Sequence, residues 1–449
     1  MKKYNVLLLT VFSWIFCSCD SYLDPKPDQS LLVPRTLEDV QYLLDNNVVF
    51  NFQGFIPLLA ADEFNLTEEA FIGASVTEQG AYTWSEELFP TGASTDWNYP
   101  YEAVFYSNVA LDALVKYTGE KDIKYYELEG AALFYRSMAY YQLLHTFAPP
   151  YQLEGGNEQL LGIVLRDDPD INLPSERATL EESYARVIQD LETALNLLPD
   201  YVEYKTRPNK AAAASLLARV QLSVFDYAEA ARSAEVALDF YTERMDFNDI
   251  DSSTSIPFPL FNAETIYYIQ LQSTSVMFSQ LFTVDNGLIE SYDSADLRFQ
   301  YYFQTNADGN HRLTGHHTGS STYFGGLTVG ENLLIASESN LRLGDESKAK
   351  SFLKELLSLR YEDDSYREIM DLDGDDLLAR ILLERRKELV GRGTRWSDLR
   401  RLNQEPIWAK SVQRDVGGII YNLEPTSAAY VFPIPDQEIL RSGIEQNQR

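Results

Sequence analysis

The sequence predicts a mainly α protein in which paired helices form a scaffold and long irregular insertions carry a few short strands. Three observations predict it. Apolar residues recur at helical spacing through several long windows, a pair of small-residue helices appears twice at matching offsets, and the windows between are rich in Pro, Gly, Ser and Thr. With 449 residues, 45% of them hydrophobic and 23% charged, the chain has the length for one large domain or two to three ordinary ones.

The first element is a secretion signal. Lys2 and Lys3 precede an apolar run from about Val6 to Phe16, and small Ser18 follows. The run is short of the roughly twenty apolar residues that a membrane-spanning helix takes. Cleavage after Ser18 makes Cys19 the first residue, where acylation of thiol and amine supplies several buried chains, enough for stable anchoring. Cys17 fits less well because bulky Phe16 precedes it. Residues 1–18 are therefore expected to be a lipoprotein signal peptide and Cys19 a lipidation site. The competing reading is an ordinary secreted protein whose signal ends in cysteines. Cys17 is the only other cysteine, so a chain starting at Cys19 has neither a disulfide nor a second thiol.

Helices follow at Thr36 to Asp45, at about Tyr101 to Lys116 and at about Tyr125 to Thr146. The clearest one starts at Thr179, which has capping-box spacing to Glu182. Leu180, Tyr184, Val187, Ile188, Leu191, Ala194, Leu195 and Leu198 form its stripe, and Pro199 ends it. Beyond the turn Arg207-Pro208-Asn209, a second helix runs through Leu216, Leu217, Val220 and Val224. It breaks at Phe225-Asp226-Tyr227, and a third carries Ala230, Ala234, Ala237 and Leu238. This last pair resembles a tetratricopeptide repeat, in which small residues let two helices approach closely. Ala218, Ala230 and Ala237 take the small positions, although Gln221 stands where an aromatic is usual and no proline closes the unit. A similar unit runs from about Glu331 to Leu359, with Ser337, Gly344-Asp345 and Ala349 at matching offsets. The irregular stretches are residues 148–178 and 246–328, the second expected to hold strands such as Thr265 to Leu271. Loops this long in a compact domain carry function or form a subdomain, so the insertions are expected to carry the ligand site.

Charge excludes some partners. The net charge of −31 becomes −33 without residues 1–18, which hold two lysines and no acid. Nucleic acid is excluded, since binding it needs Lys and Arg to neutralise phosphates. Anionic headgroups are repelled as well, which leaves the lipid as the only membrane contact. No Gly-x-Ser-x-Gly elbow, His-Glu-x-x-His zinc helix or Gly-Lys-Ser/Thr phosphate loop is present, and Gly391-x-Gly393 lacks the third glycine of a dinucleotide site. His311, His316 and His317 share one loop and are read as solvated rather than metal-binding. Asp371, Asp373, Asp375 and Asp376 around Gly374 fail the EF-hand pattern, because Ile369 and Arg380 occupy its first and last ligand positions. They read as a charged turn into a helix. No pair among the 68 acids is singled out for glycoside hydrolysis. No cofactor, no metal and no enzymatic activity are expected.

Spaced motifs resemble the SusD/RagB family of outer-membrane nutrient-binding lipoproteins over nearly the whole mature sequence. Cys19-Asp20-Ser21-Tyr22-Leu23-Asp24-Pro25 is similar to the family's acylated cysteine and following stretch. Trp97, Tyr101 and Asn108 match its W-x-x-x-Y … N helix entry, and Glu129 to Tyr141 its E-A-x-x-x-R-A-x-x-Y helix. The most specific matches are Glu384-Arg385-Arg386-Lys387-Glu388-Leu389, then Gly391 with Arg395-Trp396-Ser397-Asp398-Leu399-Arg400-Arg401, and the closing Phe432-Pro433-Ile434-Pro435, Glu438-Ile439 and Gln446-Asn447. Two turns depart from the pattern: Ala148-Pro149-Pro150 replaces Gly-x-x-Pro, and Arg392-Gly393 stands where an acid and Gly are common. The resemblance implies a lid on a TonB-dependent β-barrel transporter at the cell surface. Such a protein captures an oligosaccharide, or in some branches a peptide, with its repeat helices toward the transporter. It also implies one compact unit, with residues 19–245 and 246–449 as its N- and C-terminal regions.

A sugar ring offers CH groups on one face and hydroxyls at its rim, so its binder needs an aromatic platform and a few hydrogen-bond partners. The 29 tyrosines and 23 phenylalanines suit this, though most are packing residues. Trp84 and Trp97 flank a Gly/Ser/Thr/Pro-rich stretch, with Asp96, Asn98 and Tyr99 nearby. Each tryptophan also reads as a core anchor, Trp97 more so than Trp84. Tyr301-Tyr302-Phe303 and Tyr323-Phe324 are second candidates, or else the buried face of a strand. Trp396 reads as structural; Trp408 fits either role. The expected function is capture of an oligosaccharide or another oligomeric nutrient for a transporter, against two alternatives: a peptide-binding member of the same family, or a helical-repeat scaffold in the envelope.

Overall fold

The computed structural model describes residues 34–449 apart from Ser252 and Ser255; the signal segment, Cys19 and the stretch up to Pro27 lie outside the described residues. Helix α1 (Leu37–Leu44) opens with a capping box between Thr36 and Asp39. Helix α2 (Thr95–Lys116) starts six residues before the expected point, because the Ser94 hydroxyl caps it by accepting from the Asp96 amide at 3.2 Å. Pro100 lies inside this helix and deprives only the Asp96 carbonyl of its partner. In α3 (Ile123–Phe147) every residue from Ala132 to Phe147 is buried, the mark of a helix surrounded on all sides. The capping box at Thr179 and Glu182 is realised at the start of α4 (Leu180–Leu197).

The remaining scaffold helices are α5 (Lys210–Ser223), α6 (Tyr227–Phe240), α7 (Val329–Arg342) and α8 (Glu346–Leu357), followed by α9 (Gly374–Glu388) and α10 (Arg395–Leu402). From α2 to α8 each helix packs against the next, and α6 rests directly on α7 although residues 241–328 separate them. Ala230 and Ala234 of α6 meet Ile335 and Ala336 of α7 there, with Ala218 and Leu222 of α5 in the same cluster, and the alanines permit close approach.

The two repeat units share a turn as well as a spacing. Phe225 (φ 63°) and Gly344 (φ 87°) both adopt the left-handed region, and the next residue caps the following helix: Asp226 accepts from the Glu229 amide and Asp345 from the Lys348 amide. Ser337, opposite Ala218 in the alignment, donates to the Ala349 carbonyl at 2.9 Å. Gln221 replaces the usual aromatic with polar bonds, its amide nitrogen reaching the Ser233 hydroxyl (2.7 Å) and the Glu229 carbonyl (3.0 Å).

Strands are short: β1 (Phe52–Gln53), β2 (Phe64–Leu66), β3 (Leu161–Val164), β4 (Arg177–Thr179), β5 (Thr265–Tyr267), β6 (Gln270–Leu271), β7 (Phe282–Val284), β8 (Phe303–Thr305), β9 (His311–Leu313), β10 (Leu327–Thr328), β11 (Val412–Val416) and β12 (Ile419–Leu423). The expected strand from Thr265 to Leu271 is split, because its halves serve different partners. β5 pairs antiparallel with β10, while β6 pairs parallel with β1. Together with the β2–β7 pair, this sews residues 265–284 to the segment 52–66. One apolar cluster runs through the whole arrangement, from Leu37 to Ile444.

The C-terminal signature is buried charge. On α9, Glu384, Lys387 and Glu388 face Asp296, Arg298 and Arg360, with Glu264 on the far side of Arg360, and these side chains are almost wholly sealed from water. Arg360 holds Glu388 at 2.9 Å and Glu264 at 2.6 Å, Arg298 holds Asp296 at 2.8 Å, and Lys387 reaches Asp296 at 2.5 Å. Arg385 pairs with Asp398 (2.9 Å), and Arg401 joins Asp398 to Glu338 on α7. Trp396 is fully buried against Tyr430 and Phe432, as a structural residue should be. Asp375 and Asp376 occupy the first turn of α9, as the charged-turn reading expects.

Burial on its own would raise the carboxyls of this network, and the facing cations override it. Arg360 and Arg298 hold Glu388, and Arg298 and Lys387 hold Asp296, at about 2. Their contribution to stability is complete above the ordinary carboxylate range and is lost as pH falls through it toward 2. Glu388→Ala leaves two buried guanidiniums short of an acceptor, and urea melts should show a loss of about 3–5 kcal/mol at neutral pH. A shift under about 1 kcal/mol would refute this role.

Candidate functional site

An open cleft of about 410 Å³ lies over the N-terminal half of α2. Trp97, Tyr101, Val104 and Phe105 line it from the helix. Arg166, Asp168, Pro169 and Ile171 face them from the loop after β3, and Glu438 and Arg441 close the third side from the short helix Asp436–Ser442.

Tyrosine hydroxyls and one asparagine fix these walls to one another. The Tyr101 hydroxyl donates to the Val164 carbonyl (3.2 Å) and accepts from the Val164 amide (3.1 Å). Tyr140 brackets Arg166 in the same way, both bonds at 2.7 Å. Asn108 donates to the Arg166 carbonyl at 2.7 Å and accepts from Arg136 at 2.9 Å. Arg136 in turn forks onto Asp190 of α4 at 2.8 and 2.9 Å. Burial pushes the Tyr101 and Tyr140 hydroxyls far up, so both remain protonated donors.

The structure brings together only two of the residues singled out in the sequence. Trp97 lines the cleft but is 4% exposed, wedged between Tyr101 (ring centroids 4.8 Å apart) and Phe147 (5.1 Å); it forms the floor and presents no open stacking face. Asn98 is exposed on the wall. Tyr99 is 39% exposed and outside the lining, and Asp96 is buried beneath, where its Oδ1 accepts from the Ile56 amide at 2.9 Å. A Cβ at Gly54 would coincide with that carboxyl, which is why glycine stands there.

The other aromatic candidates are packing residues. Trp84 is buried, its indole N–H bonded to the Ala60 carbonyl at 3.0 Å, and the Arg414 guanidinium lies over both its ring and that of Tyr82. Tyr301 is buried edge-on against Phe247, its hydroxyl bonded to the Ile250 carbonyl. Tyr323 is enclosed by Phe64, Phe282 and His316. These rings are thus spent on packing. The histidine loop is also corrected: His316 and His317 are buried rather than solvated. His317 stacks on Phe258 at 4.4 Å and accepts from Arg392 at 3.0 Å. Burial and then Arg392 push its pKa far down, so the ring is neutral. His311 is half-buried against Phe299.

Phe105, Arg166, Asp168 and Arg441 were not singled out in the sequence, and Glu438 only as part of the closing family motif. Trp97, Tyr101, Val104 and Asn108 do share one helical face, a signal available in principle. The other walls arrive from residues 165–175 and 436–441, which only folding brings near.

Burial pushes the Asp96 carboxyl up to about 7. Folding therefore favours the protonated form, and the stability present near pH 4 declines as pH rises toward 7, at up to about 1.4 kcal/mol per pH unit. Asp96→Asn should flatten urea-melt stability over that window. An unchanged slope would show that the carboxyl is ionised when buried.

Residues 21–222 match a family described as starch-binding and associating with the outer membrane, and residues 297–448 match the SusD family. None of the curated proteins matches the sequence. Among solved structures, a putative sugar-binding protein from Bacteroides vulgatus shares 20% identity over 93% of this chain and 99% of its own, with a TM-score of 0.76. A SusD superfamily protein from Bacteroides thetaiotaomicron shares 21% identity over 92% of this chain and 100% of its own, at 0.74. A SusD-like carbohydrate-binding protein from B. vulgatus shares 18% over 91% of this chain and 97% of its own, at 0.67. At such identities the likeness to these structures is one of fold.

Proposed function

The chain belongs to the SusD/RagB family, and we propose from that premise that it captures an oligosaccharide in the cleft over α2 and delivers it, as a lid, to a TonB-dependent transporter in the outer membrane. The observation that carries the reading is the cleft itself. Its walls are held rigid by buried hydroxyls, while Asn98, Glu102, Arg166, Asp168 and Arg441 offer donors and acceptors around an aromatic floor. A preorganised rim of mixed donors and acceptors suits a ligand made of hydroxyls. The volume of about 410 Å³ fits a short oligomer or one stretch of a polymer. The family's starch-binding description and the names of its structural relatives point the same way. In this reading the ligand is bound and passed on unchanged.

The charged rim favours one second reading, a peptide whose termini pair with Arg441 or Glu438. Affinity electrophoresis through gels containing soluble starch, xylan or levan, with a casein digest as competitor, separates the two. Retardation by a polysaccharide is expected, with Asn98→Ala and Arg441→Ala each weakening it about three- to tenfold, the worth of one or two hydrogen bonds. Wild-type mobility unchanged in every polysaccharide would overturn the glycan reading.

Membrane attachment is assigned to acylated Cys19, the surface of net charge −33 being unsuited to anionic headgroups. No helix among the described residues is long and apolar enough to cross a membrane. Cys19→Ser should move the protein from the membrane to the soluble fraction and abolish labelling by a fatty-acid probe. Retention in the membrane without label would point to another anchor.

A further inference from the structure

A second recess, of about 220 Å³ and sharing no lining residue with the cleft over α2, opens between α1, α3 and the segment that joins α4 to α5. One wall carries Tyr201, the most exposed tyrosine among the described residues at 78%. The floor is apolar, from Leu128 and Ala131 of α3, and Gln41, Glu127, Glu203 and Arg207 stand at the rim.

The segment bearing Tyr201 is tied down on both flanks. Arg207 forks onto Asp45 with both bonds at 2.7 Å, and Gln41 donates to the same carboxylate at 3.0 Å. The Arg207 guanidinium also lies over the Tyr204 ring at 5.5 Å. The Thr206 carbonyl accepts from Tyr135 (3.2 Å) and Asn51 (3.1 Å), and the Pro199 carbonyl accepts from the Lys210 amide (3.0 Å). A rigid backbone therefore holds an aromatic ring in water beside fixed donors and the carboxylates of Glu127 and Glu203. Such an arrangement binds with little further ordering.

We propose that this recess is a second saccharide subsite, in which one sugar unit stacks on Tyr201, donates hydroxyls to Glu127 or Glu203 and accepts from Arg207. The inference rests on the reading of the chain as a glycan binder. Its volume lies below the roughly 300–1,000 Å³ of sites that enclose a whole small ligand, which suits a single unit of a longer chain. Two sites on one polypeptide retain a polymer more strongly than either alone.

The test is affinity electrophoresis of the wild-type chain, Tyr201→Ala, Tyr201→Phe and Asn98→Ala in gels containing soluble starch, xylan or levan, with melting temperatures measured alongside. In the gel that retards the wild type, Tyr201→Ala should lose retention by on the order of tenfold at an unchanged melting temperature. Tyr201→Phe should keep most of it, and Asn98→Ala should weaken it independently. Wild-type retention by Tyr201→Ala overturns the subsite and leaves the cleft reading standing. Failure of every polymer to retard even the wild type removes that reading and the subsite with it. Loss of a protein contact in Tyr201→Ala, with polymer retention intact, also overturns the proposal and makes the recess a protein-docking surface.

Discussion

Glu384, Lys387 and Glu388, sealed from water on α9, stay charged because Asp296, Arg298 and Arg360 arrive opposite them, Arg360 being shared with Glu264. Each ion removed from water alone would cost several kcal/mol, so a fold that delivers some of these groups without the others is excluded. The partners come from the long insertion and from the turn after α8, while α9 also grips α7 through Arg385, which reaches Glu331 at 3.4 Å, and α10 through the Arg385–Asp398 pair. The network therefore ties insertion and helical stack into one arrangement. The signature that identifies the family is, in this light, a joint between parts.

The same economy governs the candidate site. Trp97, Tyr101 and Asn108, the residues that mark the family at the start of α2, face inward. Tyr101 and Asn108 spend their polar atoms on the backbone of Val164 and Arg166. They shape the cleft by holding its opposite wall, and exposed neighbours such as Asn98 and Arg441 are left to meet a ligand. Family motifs here describe the mounting of the candidate site, while most of its exposed donors and acceptors, Glu438 apart, lie in residues the motifs do not include.

Local signals were readable wherever the physics was local. Thr179 with Glu182, Asn209 before α5 and Asp226 before α6 cap their helices within three residues, and the alanines of α5 and α6 meet at the spacing that predicts them. Burial of aromatic residues was not readable, because distant partners decide it. Trp84 looks available until Arg414 arrives over its ring, and Tyr323 until Phe64 and Phe282 enclose it. His316 and His317 sit in a loop of glycine, serine and threonine that sequence alone would leave in water. Phe258 and Arg392 take His317 out of it. The cleft's outer walls, from residues 165–175 and 436–441, had no periodicity to announce them.

The direct seating of α6 on α7 makes residues 241–328 a closed excursion whose two ends are clamped a helix-width apart. For such a loop, doubling the length costs only about 0.6 kcal/mol in closure entropy. Descendants of this chain can therefore lengthen, shorten or exchange parts of that excursion with the solenoid's register untouched, provided Asp296 and Arg298 still reach α9, Glu264 still reaches Arg360, and β6 and β7 keep their partners. Divergence should accordingly accumulate there in steps of whole segments, and in the helical stack one side chain at a time.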